Sequence, residues 1–233
     1  MKKFMIFLSA VLISYIASAN HYNPYQDPYY EIREMTLEKI EDSEGINSPE
    51  TISLAGRKSS KSVGEVIAIG REIIAFGKEI YQIIEAGKPV VRTNYSPISV
   101  LPYNETRGKE ISPMNLNRWK GPRSVKYKVT YTNGFGMEVV TFTYNINMSY
   151  GGSYNNKGLY ITNAQIVPEY VSVAWGYSFN ASMKLVGITN KGTQDFPIAG
   201  ATLGLTYEVS TIIQEDRNNL TFFLSGDGTI KAI

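Results

Sequence analysis

Chemistry needs side chains that can hold a proton, a metal or a nucleophilic electron pair. This sequence is sparing with them. It has no cysteine and a single histidine, His21. Thiolate nucleophiles, thiolate metal sites and Ser-His-Asp or Cys-His arrangements are therefore excluded. His21 stands beside a predicted cleavage point, where a chain end frays. Carboxylates remain, and the C-terminal half offers Glu138, Glu169, Asp195, Glu208, Glu215, Asp216 and Asp227. Two carboxylates roughly 5 to 10 Å apart suffice for glycoside hydrolysis. Nothing in the spacing of these seven selects a pair. Glu208 stands out because it lies within an alternating strand pattern, yet a solvent-facing strand carboxylate is the simpler explanation. There is no phosphate-cradling glycine loop and no nucleophile elbow. The expectation is a non-enzymatic protein without metal or cofactor, with a carboxylate-based glycosidase as the remaining catalytic alternative.

Binding chemistry is better represented. The stretch "NMSYGGSYNNKGLYITN" (147–163) is dense in polar and aromatic residues. Tyr150, Tyr154 and Tyr160 could stack on sugar rings or cationic head groups, and Asn155, Asn156 and Asn163 could supply hydrogen bonds. The same composition also describes an ordinary tyrosine-rich hairpin.

A second feature lies upstream. Over residues 63–87, Val66, Ile73, Ile74, Ile80, Tyr81 and Ile84 recur at i, i+3, i+4, i+7 spacing, which predicts a long amphipathic helix. Glu65, Glu72 and Glu79 line the opposite edge, and Gly87 and Pro89 stop it. Gly70 and Gly77 each cost roughly 1 kcal/mol of helix propensity relative to alanine, which suggests a close backbone partner. Three uses stay open for such a helix: a cover over the β-domain, a self-association stripe, or an element that lies in a membrane interface. The last is disfavoured by its acidic polar face.

The remaining segments frame these features. Residues 1–19 read as a signal peptide, with Lys2 and Lys3, an apolar core and an Ala17-Ser18-Ala19 cleavage site. That run is too short to span a bilayer comfortably, and no later segment is long and uncharged enough. The expected protein is exported, periplasmic or extracellular, with no integral membrane span after cleavage. The chain holds 23 basic and 21 acidic residues. Removing the signal takes away two lysines and leaves no basic excess, so no nucleic-acid footprint is expected. Residues 20–62 have low apolar content and segregated charge, which predicts a flexible acidic arm. A short helix over 30–40 is possible within it. Residues 88–123 form a proline-rich connector. Trp119, near its end, is expected to close over the core.

From 124 to 233 the pattern is β throughout. Val125, Tyr127, Val129 and Tyr131 alternate with Lys126, Lys128, Thr130 and Thr132. "NGFG" (133–136) predicts a hairpin turn. Further alternating runs cover 137–150, 159–166, 169–188 with a bend at Gly176, 198–213 and 220–233. The fold class is mainly β, an antiparallel sandwich or closed barrel of about seven or eight strands preceded by one helix.

"KGP" (120–122), a strand, then "NGFGMEVVTFTYN" (133–145) and a Tyr/Asn-rich loop resemble the middle of the actinoporin-like pore-forming proteins and their fungal fruit-body lectin relatives. The resemblance covers about 40 residues. It implies that Tyr144, Tyr150 and Tyr154 lie near a head-group or glycan site and that the helix inserts into a target membrane. "NMSYGGSYNN" lacks the tryptophan of that family's aromatic cluster, and the 20–62 arm has no counterpart there. The expected activity is binding of a glycan or lipid head group at a surface, possible pore formation included. The alternative is a structural or interaction protein of a bacterial cell envelope.

Overall fold

Alternation of apolar and polar residues turns into ladders along most of the chain. The computed structural model describes residues 23–43, 51–53, 73–76, 81–85, 88–89, 97–104 and 109–233. Its strands are β1 (Ile32–Asp42), β2 (Thr51–Ser53), β3 (Ile73–Phe76), β4 (Tyr81–Glu85), β5 (Lys88–Pro89), β6 (Ile98–Asn104), β7 (Lys109–Glu110), β8 (Lys120–Asn133), β9 (Glu138–Tyr154), β10 (Lys157–Val173), β11 (Ser178–Asn190), β12 (Ala199–Ser210), β13 (Glu215–Ser225) and β14 (Ile230–Ala232). One sheet runs β2-β1-β8-β9-β10-β6-β3, with β7 beside β6, and the other runs β14-β13-β12-β11-β4-β5. All named pairings are antiparallel, and neither sheet closes into a barrel.

Period-two burial makes the two sheets face each other through aromatic rings. Tyr127, Phe142 and Tyr144 come from the first sheet, and Phe179, Tyr207 and Phe222 from the second. Phe142 lies 5.4 Å from Phe179 and 6.1 Å from Tyr207, centroid to centroid. Tyr127 lies 5.0 Å from Phe222. The Tyr207 hydroxyl donates to the Tyr144 hydroxyl at 2.7 Å. A buried hydroxyl left without a partner would cost about 1–3 kcal/mol, so pairing two across the sheets removes that penalty. Trp119 packs on the edge of this core, as expected, and donates through Nε1 to Pro113 O at 3.1 Å. Its indole lies flat against Gly152, where any Cβ would collide with the ring.

Burial gives these tyrosines a pH signature. Desolvation pushes Tyr131, Tyr144 and Tyr207 above the ordinary tyrosine value. Tyr177 is pushed up to about 12, first by burial and then by Tyr29 and Asp27 nearby. A raised folded value means that the fold favours the neutral phenol. The associated stability is complete below the unfolded value near 10, and is lost as pH rises through the folded values. Urea midpoints should therefore fall between about pH 10 and pH 12, and tyrosinate absorbance should rise cooperatively with unfolding. A smooth, non-cooperative titration of all tyrosines with an unchanged midpoint would contradict this packing.

Several expectations are corrected. The helix over 63–87 is not formed where the chain is described, because Ile73–Phe76 and Tyr81–Glu85 are strands. Ile73 and Ile74 lie in β3, which pairs with β6, and Tyr81 and Ile84 lie in β4, which pairs with β11. Val66, Gly70, Gly77 and Ile80 fall outside the described residues, as does the signal peptide. The physical reason is tertiary. Isoleucine is β-branched and weak in helices, and each segment finds a ladder in a different sheet, β3 at an edge and β4 between β11 and β5. Helix packing, helix self-association and helix insertion lose their element over these residues. Among the described residues the only helices are three 3-10 turns of three residues each.

The flexible arm is likewise corrected over 32–42, which form an interior strand between β2 and β8 with Met35 and Leu37 buried. The sandwich is not confined to 124–233, because β1, β3, β4 and β6 complete its sheets. The gap between the predicted runs 137–150 and 159–166 narrows to a loop of two residues. Asn155 and Asn156, at φ 50° and 60°, close β9 onto β10 as a two-residue hairpin turn of the type that matches strand twist. The bend expected at Gly176 is a full turn that carries the chain from one sheet to the other.

Candidate functional site

The residues singled out in the tyrosine-rich stretch separate in space. Tyr144 has no exposed surface and belongs to the central aromatic layer. Tyr160 is also buried, and Tyr150 and Tyr154 are half-buried against the core. The Tyr150 ring covers Gly228. Asn155 and Asn156 form the exposed turn. Tyr144 and Tyr160 pack inside the sandwich while Asn155 and Asn156 face solvent, so these residues do not gather on one exposed surface.

The carboxylates are tied into local pairs. Glu169 accepts from Lys126 at 3.1 Å and from Asn145. The Lys126 ammonium also reaches Glu41, and its hydrogen bonds to Glu169 and then Glu41 hold it above the usual lysine value. Glu208 is paired with Arg217 across to β13. Asp227 accepts from Lys191 at 2.7 Å and from the Thr229 hydroxyl at 2.8 Å. Burial alone would raise its value, but these bonds outweigh it and the net shift is downward. Among the described residues no three of His, Cys, Asp and Glu are grouped to hold a metal ion.

The opposite end of the sandwich is different. Three connections emerge there: 134–137 between β8 and β9, 174–177 between β10 and β11, and 211–214 between β12 and β13. The segment 23–31 lies across them. Five large apolar side chains project from these four loops. Trp175 is 81% exposed, Tyr25 71% and Phe135 61%, with Met137 and Ile212 also exposed.

Each loop is pinned from beneath. Asn133, fully buried, accepts through Oδ1 from the backbone N–H of Phe135 at 3.1 Å and of Met137 at 3.0 Å. Gly134 N–H donates to Pro28 O at 2.9 Å. The Tyr29 hydroxyl donates to Trp175 O at 2.9 Å, and the Tyr177 hydroxyl donates to Tyr29 O. Gly176, at φ 80°, lies so close to the Tyr30 ring that a Cβ would sit 2.7 Å from it. Thr211 Oγ1 donates to Tyr30 O at 2.9 Å and accepts from Gln214 N–H at 3.1 Å. Gln214 brackets Ile32, accepting from its N–H at 2.8 Å and donating to its carbonyl at 3.1 Å. Tyr29, Tyr30 and Tyr177 meet edge to face at 5.1 and 5.8 Å, a floor under the exposed residues.

Hydrogen-bonded loops of this kind hold apolar groups in water at fixed positions. Such a surface can bind without reordering itself, which spares the entropy usually lost on association. Sequence reasoning missed it because each loop carries only one or two of the residues. The available signal was an aromatic or apolar residue inside a glycine-flanked turn: "GFGM", "AWGY", and then "TIIQ" without the glycine. No family model, no curated protein and no solved structure matches this chain.

Proposed function

We propose that this is an exported, non-enzymatic protein that docks on a lipid surface through the loop end of its sandwich. The observation that supports this most directly is the cluster of Trp175, Tyr25, Phe135, Met137 and Ile212, exposed together on loops that are individually fixed. Monomeric proteins rarely gather large apolar side chains at one place without a binding role. Trp and Tyr favour the membrane–water boundary, where one end of the ring is apolar and the other wet. Trp175 and Tyr25 would stack equally well on a sugar. Phe135, Met137 and Ile212 offer no hydrogen bond to a sugar hydroxyl, and they favour lipid.

The test is flotation of the full chain with phosphatidylcholine vesicles. Burying an exposed ring contributes about 1–2 kcal/mol, so Trp175→Ala with Phe135→Ala should weaken partition roughly 30- to 1000-fold. The melting temperature should barely move, because neither side chain belongs to the core. A native chain that stays in the lipid-free fraction would refute the reading, as would a double variant that floats equally well. Retention of the native chain on a polysaccharide matrix without flotation would favour a glycan ligand instead.

A further inference from the structure

The four loops and the residues that flank them (23–31, 132–138, 173–178 and 210–216) contain no lysine or arginine. They contain five carboxylates: Asp27, Glu31, Glu138, Glu215 and Asp216. Glu31, Glu138 and Glu215 are exposed around the apolar end. Among the described residues two cations reach in from the strands, while Arg217, next along β13, is paired with Glu208. Arg33 donates to Gly134 O at 3.4 Å, and Lys128 lies 3.9 Å from Glu138. Among the described residues, five carboxylates against two cations leave the docking end net negative. Peripheral proteins that use anionic lipid surround their apolar anchors with Lys and Arg, which the negative surface attracts. This end has the opposite arrangement. An anionic bilayer would repel the collar while the apolar residues still sought the interface.

We infer that the loop end selects lipid surfaces by charge, docking on electrically neutral bilayers and being turned away from anionic ones. The inference rests on the docking reading above and deepens it. Trp175, Phe135, Met137, Tyr25 and Ile212 supply the attraction. Glu31, Glu138 and Glu215 supply the discrimination. Because the repulsion acts between exposed charges, salt must weaken it, with a screening length of about 10 Å at 0.1 M and 3 Å at 1 M.

The experiment compares partition of the full chain onto vesicles of phosphatidylcholine alone and of phosphatidylcholine mixed with phosphatidylglycerol, at low and high salt. The variant Glu31→Gln, Glu138→Gln, Glu215→Gln is measured in parallel, after circular dichroism has shown that it is folded. At low salt the native chain should bind the mixed vesicles at least about ten-fold more weakly than the neutral ones. High salt should narrow the gap, and so should the triple variant at low salt. Equal binding to both vesicles at low salt, or stronger binding to the anionic ones, overturns the charge selection and leaves docking intact. A gap that persists unchanged in the triple variant also overturns it, because the collar would not be its source. Absence of binding to either vesicle overturns the docking reading and this inference with it.

Discussion

Replacing Asn133 with leucine is expected to cost about 2–4 kcal/mol of folding stability and to weaken vesicle docking. Leucine is nearly the same size, so the cavity contribution is small. The loss comes from hydrogen bonding. One buried oxygen, Oδ1, holds the N–H groups of Phe135 and Met137. Leaving a buried donor unpaired costs about 1–3 kcal/mol, and here two are released together. Partial hydration of this turn limits the sum, since Phe135 and Met137 themselves are exposed. The same change loosens the backbone that aims both side chains outward. Urea denaturation measures the stability and flotation measures the docking. A variant within about 0.5 kcal/mol of the native chain would show that the 134–137 turn holds its shape without Asn133.

Phe142→Ala is expected to be the more damaging change, at about 3–5 kcal/mol. Phe142 has no exposed surface and sits among Tyr144 at 5.0 Å, Phe179 at 5.4 Å and Tyr207 at 6.1 Å. Truncation removes ring contacts to both sheets at once. It also opens a void beside the rings of Tyr144 and Tyr207, whose hydroxyls are paired across the sheets. Vesicle docking measured well below the melting temperature should survive, because the loop end lies away from Phe142. A loss under about 1.5 kcal/mol would mean that the sheets do not pack through this ring.

The contrast between these two sites shows where the sequence was readable. Alternation along 125–131 and 140–148 was legible because a half-buried strand must repeat every two residues, whatever lies opposite. The turn at 133–136 was legible from its residue types: Gly136 takes a left-handed angle, at φ 77°, and the Asn133 side chain caps the turn. The 63–87 stretch was misleading because a helical period can be written by isoleucines that a sheet also accepts. Ile73, Ile74, Tyr81 and Ile84 satisfy the helical spacing, and β3 and β4 pair with strands far along the chain. Local propensity differs by only tenths of a kcal/mol per residue, and a ladder with buried neighbours exceeds that. Strand β1 was missed for the converse reason. Its charges, Arg33, Glu34, Glu38, Lys39, Glu41 and Asp42, suggested a solvated arm, although Met35 and Leu37 alternate with polar neighbours and turn inward.

The binding end depended on topology in a further way. In an antiparallel chain every second connection emerges on the same side. From β8 to β14, the first, third and fifth connections carry Phe135, Met137, Trp175 and Ile212. The second holds the Asn155–Asn156 turn, and the sixth holds Asp227, whose carboxylate bonds Lys191 of the fourth. The sequence by itself determined the strands that alternate cleanly and the absence of cysteine and near-absence of histidine chemistry, because each follows from residue type and period alone. Only the tertiary structure decided that Tyr144 is buried and Trp175 exposed, that 73–76 and 81–85 are strands, and that four separate loops share one end. Those facts depend on which distant strands pair and which sheet faces which, and long-range contacts of that kind leave no periodic trace in a single sequence.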